Sequence, residues 1–315
     1  MGINKITIVG AGAVGSTTAF ALASSGLARE IVLLDVNEKL ANAEALDISH
    51  GSLFYPAVDI VGTADQSAAT DSQMIIVTAG ARQKPGQTRI DLAADSIKIL
   101  ESVLPPLAKV APDAIFLIVA NPVDALTYAA QKITGFGPAQ VFGSGTNLDS
   151  SRLRTLLSQR TGVNPKSIHA YIAGEHGDSE IPLWSSATIG NVPLLDFKEL
   201  PGFYPLTSKC RDEIISNVVN AAYTVIEGKG ATNYAVALAV VDIVTAVLRD
   251  ENRILPVSSL IEGVDGVEDV CMSLPFVVGA KGAQQRINTS FSTDELRGLQ
   301  KSAVVLRRTI TECGF

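Results

Sequence analysis

Cysteine, histidine and aromatic residues are all scarce in this chain, and each shortage removes a class of function. The three cysteines, Cys210, Cys271 and Cys313, lie far apart and show no CxxC spacing. Neither a disulfide framework nor a zinc site is expected from them, and no other metal-ligand spacing is present. A reducing, cytoplasmic setting fits that usage best. Lysine and arginine form no block, and the net charge is −7, which argues against nucleic acid or an anionic membrane as a partner. Long apolar runs are missing too. The longest, AVALAVVDIVTAVL at 235–248, is short for a membrane span and carries Asp242, so it reads as a buried core helix. The opening MGINKITIVG runs straight into a structural motif, which leaves no room for a signal peptide.

What the chain does have is length and glycine. Its 315 residues, 26 of them glycine and nearly half apolar, suffice for two lobes with large cores and many tight turns. The first half alternates β-branched runs with helical patterns: strands at 5–10, 30–35, 74–80, 114–122 and 140–145, with helices at 13–28, near 38–51 and from about Asp91. Strand, helix, strand in this order implies parallel pairing with right-handed crossovers. The strands are apolar on both faces, as they must be when helices cover both sides. After about residue 146 the pattern shifts to helices at 149–161, 207–228 and 229–249, with strands at 168–173, 254–261, 268–278 and 284–289. A last helix follows, capped by Ser292 with Glu295 three residues on. The expected architecture is α/β: a doubly wound parallel sheet over 1–145, then a mixed α+β substrate domain over 146–315.

VGAGAVG places Gly10, Gly12 and Gly15 in GxGxxG spacing after a strand and before a helix, with Asp35 twenty residues beyond Gly15. That context makes a weak pattern strong. Gly10 serves the tight turn and Gly12 the approach of a pyrophosphate. Gly15 lets helix and strand pack closely, and Val14 lies between them. Asp35 accepts from a ribose diol and repels a 2′-phosphate, so NAD is expected rather than NADP.

Three further segments end at the carboxyl edge of the expected sheet, where ligands bind. ARQKPGQTR ends in Arg89 and contains Pro85-Gly86; it is either a closing flap or an ordinary solvated loop. NPVD begins with Asn121, which reaches a nicotinamide ribose or a substrate oxygen, or simply makes an Asn-Pro turn. TNLDSSRLR sets Asp149 and Arg152 three apart, on one face of a starting helix. Arg152 offers a planar fork that fits a carboxylate. His176, flanked by glycine in GEHGDS, can pass a proton near neutral pH if a carboxylate such as Asp149 holds its other nitrogen. His169 lies seven residues earlier and Arg154 two beyond Arg152. Seven steps along a strand and two around a helix both turn a side chain away, so these two form a second cationic group apart from the first.

VGAGAVG, TAGARQKPGQTR, NPVD, GTNLDSSRLR, IAGEHGDS and KGATNYAVA, in this order from residue 9 to 237, resemble the L-lactate dehydrogenase branch of the NAD-dependent lactate/malate dehydrogenase family. The resemblance implies His176 as proton donor and acceptor, Asp149 as its partner, Arg152 as substrate-carboxylate anchor and Arg89 as the flap arginine that polarises the ketone. It implies Asn121 at the carbonyl and cofactor ribose, and Thr232 as a pocket wall. Malate dehydrogenases of the family usually read PRKPG; this chain reads RQKPG, which puts neutral Gln83 at the discriminating position if KPG fixes the register. A second substrate carboxylate would then be uncompensated in a closed pocket, which favours pyruvate and lactate. Malate dehydrogenase stays open through the adjacent Arg82, and a branched 2-keto acid is a weaker third option. In the bacterial members activated by fructose 1,6-bisphosphate, an arginine and a histidine at the positions of Arg154 and His169 clamp the effector between subunits. The implied assembly is a homotetramer.

Overall fold

The central runs of the first half are long enough only for strands, and each is apolar at consecutive positions. In a computed structural model, which describes residues 4–81, 86, 88–197 and 206–315, they form one sheet. Its first six strands are β1 (Lys5–Val9), β2 (Glu30–Leu34), β3 (Asp59–Thr63), β4 (Met74–Val77), β5 (Ile115–Ile118) and β6 (Val141–Gly143). They lie parallel in the order β3-β2-β1-β4-β5-β6, the doubly wound arrangement with its chain reversal between β1 and β4.

The period of two explains why both faces are apolar. Ile6 and Ile8 of β1, Met74 and Ile76 of β4, and Ile115 and Leu117 of β5 pack in one core. Val9, Ile75, Val77, Phe116 and Ile118 pack in another, on the opposite side. Each fully buried side chain of this size contributes about 1.5–3 kcal/mol. Helices α1 (Ala13–Ser25), α2 (Glu38–Ser49), α3 (Arg89–Val110) and α4 (Val123–Thr134) make the crossovers.

Beyond β6 come α5 (Asn147–Thr161), five two-residue strands from β7 (Ile168–His169) and β8 (Ile172–Ala173) through β9 (Ile181–Pro182), β10 (Thr188–Ile189) and β11 (Val192–Pro193), then α6 (Ser208–Lys229) and α7 (Tyr234–Leu248). The chain closes with β12 (Arg253–Leu260), β13 (Cys271–Gly279), β14 (Gly282–Arg286) and α8 (Thr293–Glu312).

Several expectations are corrected here. The long strands of the second half extend the sheet of the first. β12 pairs antiparallel with β6 through Ser258 and Gly143, and β13 and β14 follow, so nine strands run continuously. The segment 168–173 is not one strand: it breaks at 170–171, and β7 and β8 join different small sheets. The long helix expected from 229 begins at Tyr234, because α6 ends at Gly230 in the left-handed region (φ 85°). The helix expected from Asp91 begins at Arg89, with a capping box between Thr88 and Asp91. β3 and α4 are additions to the expected elements. Among the described residues, no helix is long and apolar enough to cross a membrane.

Candidate active site

The glycine turn sits where β1 meets α1. Gly10 has φ 102°, which only glycine adopts readily. A Cβ on Gly15 would stand 1.8 Å from the Gly10 carbonyl oxygen, so helix and turn touch backbone to backbone. At Gly12 the same test meets nothing within 4 Å. Gly12 is also the N-cap of α1 and makes no side-chain cap, so free N–H groups at the helix start face open space, the condition for holding a pyrophosphate. Asp35 accepts from the Ala11 N–H at 2.7 Å and the Asn37 N–H at 2.8 Å. Each oxygen keeps a lone pair for a ribose hydroxyl. Gly10, Gly12, Val14, Gly15, Asp35 and Thr232 border one cleft of about 1160 Å³. The residues fit a dinucleotide.

At the far end of the sheet the first turn of α5 meets the loop after β8. His176 Nδ1–H donates to Asp149 Oδ2 at 2.6 Å, and Arg152 donates to Asp149 Oδ1 at 2.7 Å. Asp149 is only 2 % exposed, whereas a quarter of the His176 side chain reaches solvent. Burial by itself would strip the proton from His176. The Asp149 charge and hydrogen bond, then Asp124 and Glu180, outweigh burial and raise the ring to about 9. The same contacts overcome burial at Asp149 and hold its carboxyl below the usual range. At neutral pH the pair is therefore imidazolium and carboxylate, a proton donor oriented through its Nδ1.

Arg89 lies beside this loop, but its guanidinium faces acids. It pairs with Asp178 at 2.8 Å and Glu175 at 3.4 Å and donates to the Tyr223 hydroxyl at 3.2 Å. Asn121 is exposed just past β5. Gln83 and Arg82 lie outside the described residues. Arg154 turns away from Arg152: its Nε donates to the Ala170 carbonyl at 3.1 Å and its guanidinium stacks 5.0 Å over Tyr171. His169, exposed in β7, neighbours that carbonyl.

Two family models cover the chain: the lactate/malate dehydrogenase NAD binding domain over residues 4–143 and the lactate/malate dehydrogenase alpha/beta C-terminal domain over 146–314. The chain belongs to the lactate/malate dehydrogenase family. This is a family of NAD-dependent oxidoreductases acting on a CH–OH group, and NAD is the cofactor that the cleft accommodates. The L-lactate dehydrogenase of Bifidobacterium animalis subsp. lactis (strain AD011) is 55% identical over 99% of this chain and 97% of that protein. That of Thermoanaerobacter sp. (strain X514) is 49% identical over 98% and 99%. Among solved structures, the minor L-lactate dehydrogenase from Enterococcus mundtii superposes with a TM-score of 0.93 at 35% identity, over 98% of each chain.

Within this family framework, several residues around His176 escaped the sequence reading. Asp124 accepts the His176 backbone N–H at 2.7 Å and the Ser258 hydroxyl at 2.6 Å. Burial pushes its carboxyl up to about 7. It closes the NPVD segment, in which only Asn121 had been singled out. Ser302 of α8 accepts the Glu175 N–H at 2.7 Å and so anchors the start of the GEHGDS loop. Glu180 stands directly after that segment and is buried. Atoms of Asp149, His176 and Glu180 gather within 4.8 Å of one another. Both Asp149 oxygens already accept from cationic donors, Arg152 and His176, and a metal ion would bring a further positive charge against those two. The set suits proton handling better than metal binding.

Proposed function

We propose that this chain is a pyruvate-reducing L-lactate dehydrogenase, forming (S)-lactate reversibly at the end of a cytoplasmic fermentation. The observation that carries the reading is the continuous contact from Arg152 through Asp149 to His176, in a chain whose glycine turn borders a cleft fitted to NAD. Bound NADH supplies the hydride for the ketone carbon. His176 gives its proton to the ketone oxygen, and Asp149 keeps the ring oriented and charged while it does so. Arg152 receives the substrate carboxylate and turns binding into orientation. Arg89, once drawn from Asp178 and Glu175, stabilises charge developing on the substrate oxygen. In the register that KPG sets, Gln83 would leave no cation for a second carboxylate, whereas a shifted register would bring Arg82 inward.

The effector reading belongs to the same proposal. Arg154 and His169 share one surface around β7, apart from His176, and they suit the phosphates of fructose 1,6-bisphosphate at a contact between subunits of a homotetramer. Apolar side chains left exposed on α1, α2 and α7, among them Phe20, Leu46 and Leu238, are consistent with such contacts.

NADH oxidation measured with pyruvate and with oxaloacetate, each with and without fructose 1,6-bisphosphate, tests all of this together. Pyruvate should be preferred, and the effector should lower its apparent KM. Preference for oxaloacetate would make the chain a malate dehydrogenase. An unchanged KM, or activation that survives R154Q/H169Q, would remove the effector site.

A further inference from the structure

The proton chemistry at His176 needs one carboxylate partner, yet a second acid is packed against the pair. Glu180 is 8 % exposed, and its Oε1 is buried without a hydrogen-bond partner. Its carboxyl lies in the 4.8 Å cluster with Asp149 and His176. Ionised, the carboxylate would hold charge on an oxygen that has lost water and gained no donor, which is costly, so the group favours its neutral form. Burial, then the Asp149 charge, raises it to about 8, while His176 and Arg152 pull in the other direction. The charged and titratable groups facing the cluster come from three elements. α5 supplies Asp149 and Arg152, the loop after β8 supplies His176 and Asp178, and α4 places Asp124 behind His176.

We propose that Glu180 is a positioning residue for the proton step: packed against the Asp149–His176 pair, its carboxyl sets how far into alkaline solution His176 keeps its proton. The inference rests on the reading of His176 as the donor. When Glu180 is neutral, it adds no second anion beside Asp149 to compete with the substrate carboxylate for Arg152. When Glu180 loses its proton, its charge adds to that of Asp149 and holds the imidazolium against further deprotonation. Reduction of the ketone, which consumes the His176 proton, thereby persists at a pH where an isolated pair would have lost it.

The test is the pH profile of kcat/KM for pyruvate in the wild type, Glu180→Gln and Glu180→Asp. Glutamine keeps the shape and removes the ionisable group, so the alkaline limb should move down by about 1 pH unit, as expected for losing a charge within 4–6 Å. Aspartate keeps the charge and should recover at least half of that displacement. An alkaline limb that stays in place in Glu180→Gln, or one equally displaced in Glu180→Asp, overturns the proposal. A wild type inactive on pyruvate would instead overturn the functional reading. A measurement free of turnover and of any variant decides in that case: an infrared titration of the wild type with carbon-13 glutamate, which keeps Asp124 out of the band. A protonated glutamic acid band lost near pH 8 supports the proposal, and a band already absent at neutral pH sinks it.

Discussion

Replacing Asp149 with asparagine removes one charge and keeps the side-chain shape. In the wild type one carboxylate oxygen lies 2.6 Å from His176 Nδ1 and the other 2.7 Å from Arg152. Burial opposes a charged ring, and Asp149 supplies the largest opposing contribution in raising His176 from 6.5 to about 9. That rise corresponds to about 3 kcal/mol in favour of the imidazolium. Without the Asp149 charge, burial remains and the ring returns to its ordinary value or below. Most molecules then lack a proton to give at neutral pH, and the imidazole loses the acceptor that selects its tautomer. Pyruvate reduction at neutral pH should drop about 100-fold or more: a ring at its ordinary value keeps its proton in about a quarter of molecules at pH 7, a loss of about fourfold, and the lost tautomer and orientation account for the rest. Steady-state NADH oxidation across pH reads this directly. The alkaline limb of kcat/KM should move down by about two pH units, and lactate oxidation, which needs a neutral ring, should be affected less near neutrality. A limb that stays near its wild-type position in Asp149→Asn would refute the reasoning, because something other than Asp149 would then be holding the proton.

The glycine turn separates folding from binding. Gly15→Ala places a methyl 1.8 Å from the Gly10 carbonyl and should lower Tm sharply in a thermal melt. Gly12→Ala meets nothing within 4 Å, so it should melt near the wild type yet bind NADH at least about tenfold more weakly by fluorescence titration, its methyl occupying the space for the pyrophosphate. Stability should fall as pH rises from about 6.5 to 9. The stability contribution of His176, whose folded value is raised from 6.5, is present below 6.5 and lost as pH climbs through about 9. Asp124, raised from 3.8 to about 7, and Glu180, raised from 4.5 to about 8, also hold protons more tightly when folded. Each group contributes a slope of up to about 1.4 kcal/mol per pH unit within its window, and melts showing a flat or rising Tm there would contradict the assignment. Asp124→Asn keeps an acceptor for the His176 N–H but alters the contact with Ser258; it should reduce kcat more than it raises KM, which parallel initial-rate curves would show.

Features set by local chain geometry were legible in the sequence, and those set by long-range burial were not. GxGxxG carries its own turn, so the steric demands on Gly10 and Gly15 follow from spacing alone. Asp149 and Arg152 meet because three residues make nearly one helical turn, and the same counting sends Arg154 the other way, onto Ala170 and Tyr171. The joining of β12 to β6 had no such signal. It depends on one residue pair, Ser258 and Gly143, 115 positions apart in the numbering. Yet this junction brings the Ser258 hydroxyl to Asp124 and thereby fixes the carboxylate that holds the His176 backbone. β3 was hidden because four of its five residues face solvent or lie half-exposed at the sheet edge, so its apolar pattern is diluted. Glu180 was hidden for the opposite reason: an acid in GEHGDSE looks like one more solvated charge until the fold removes its water. The site thus combines donors placed by short-range spacing with proton affinities set by tertiary enclosure, and the second is where an isolated sequence motif and a working proton donor differ.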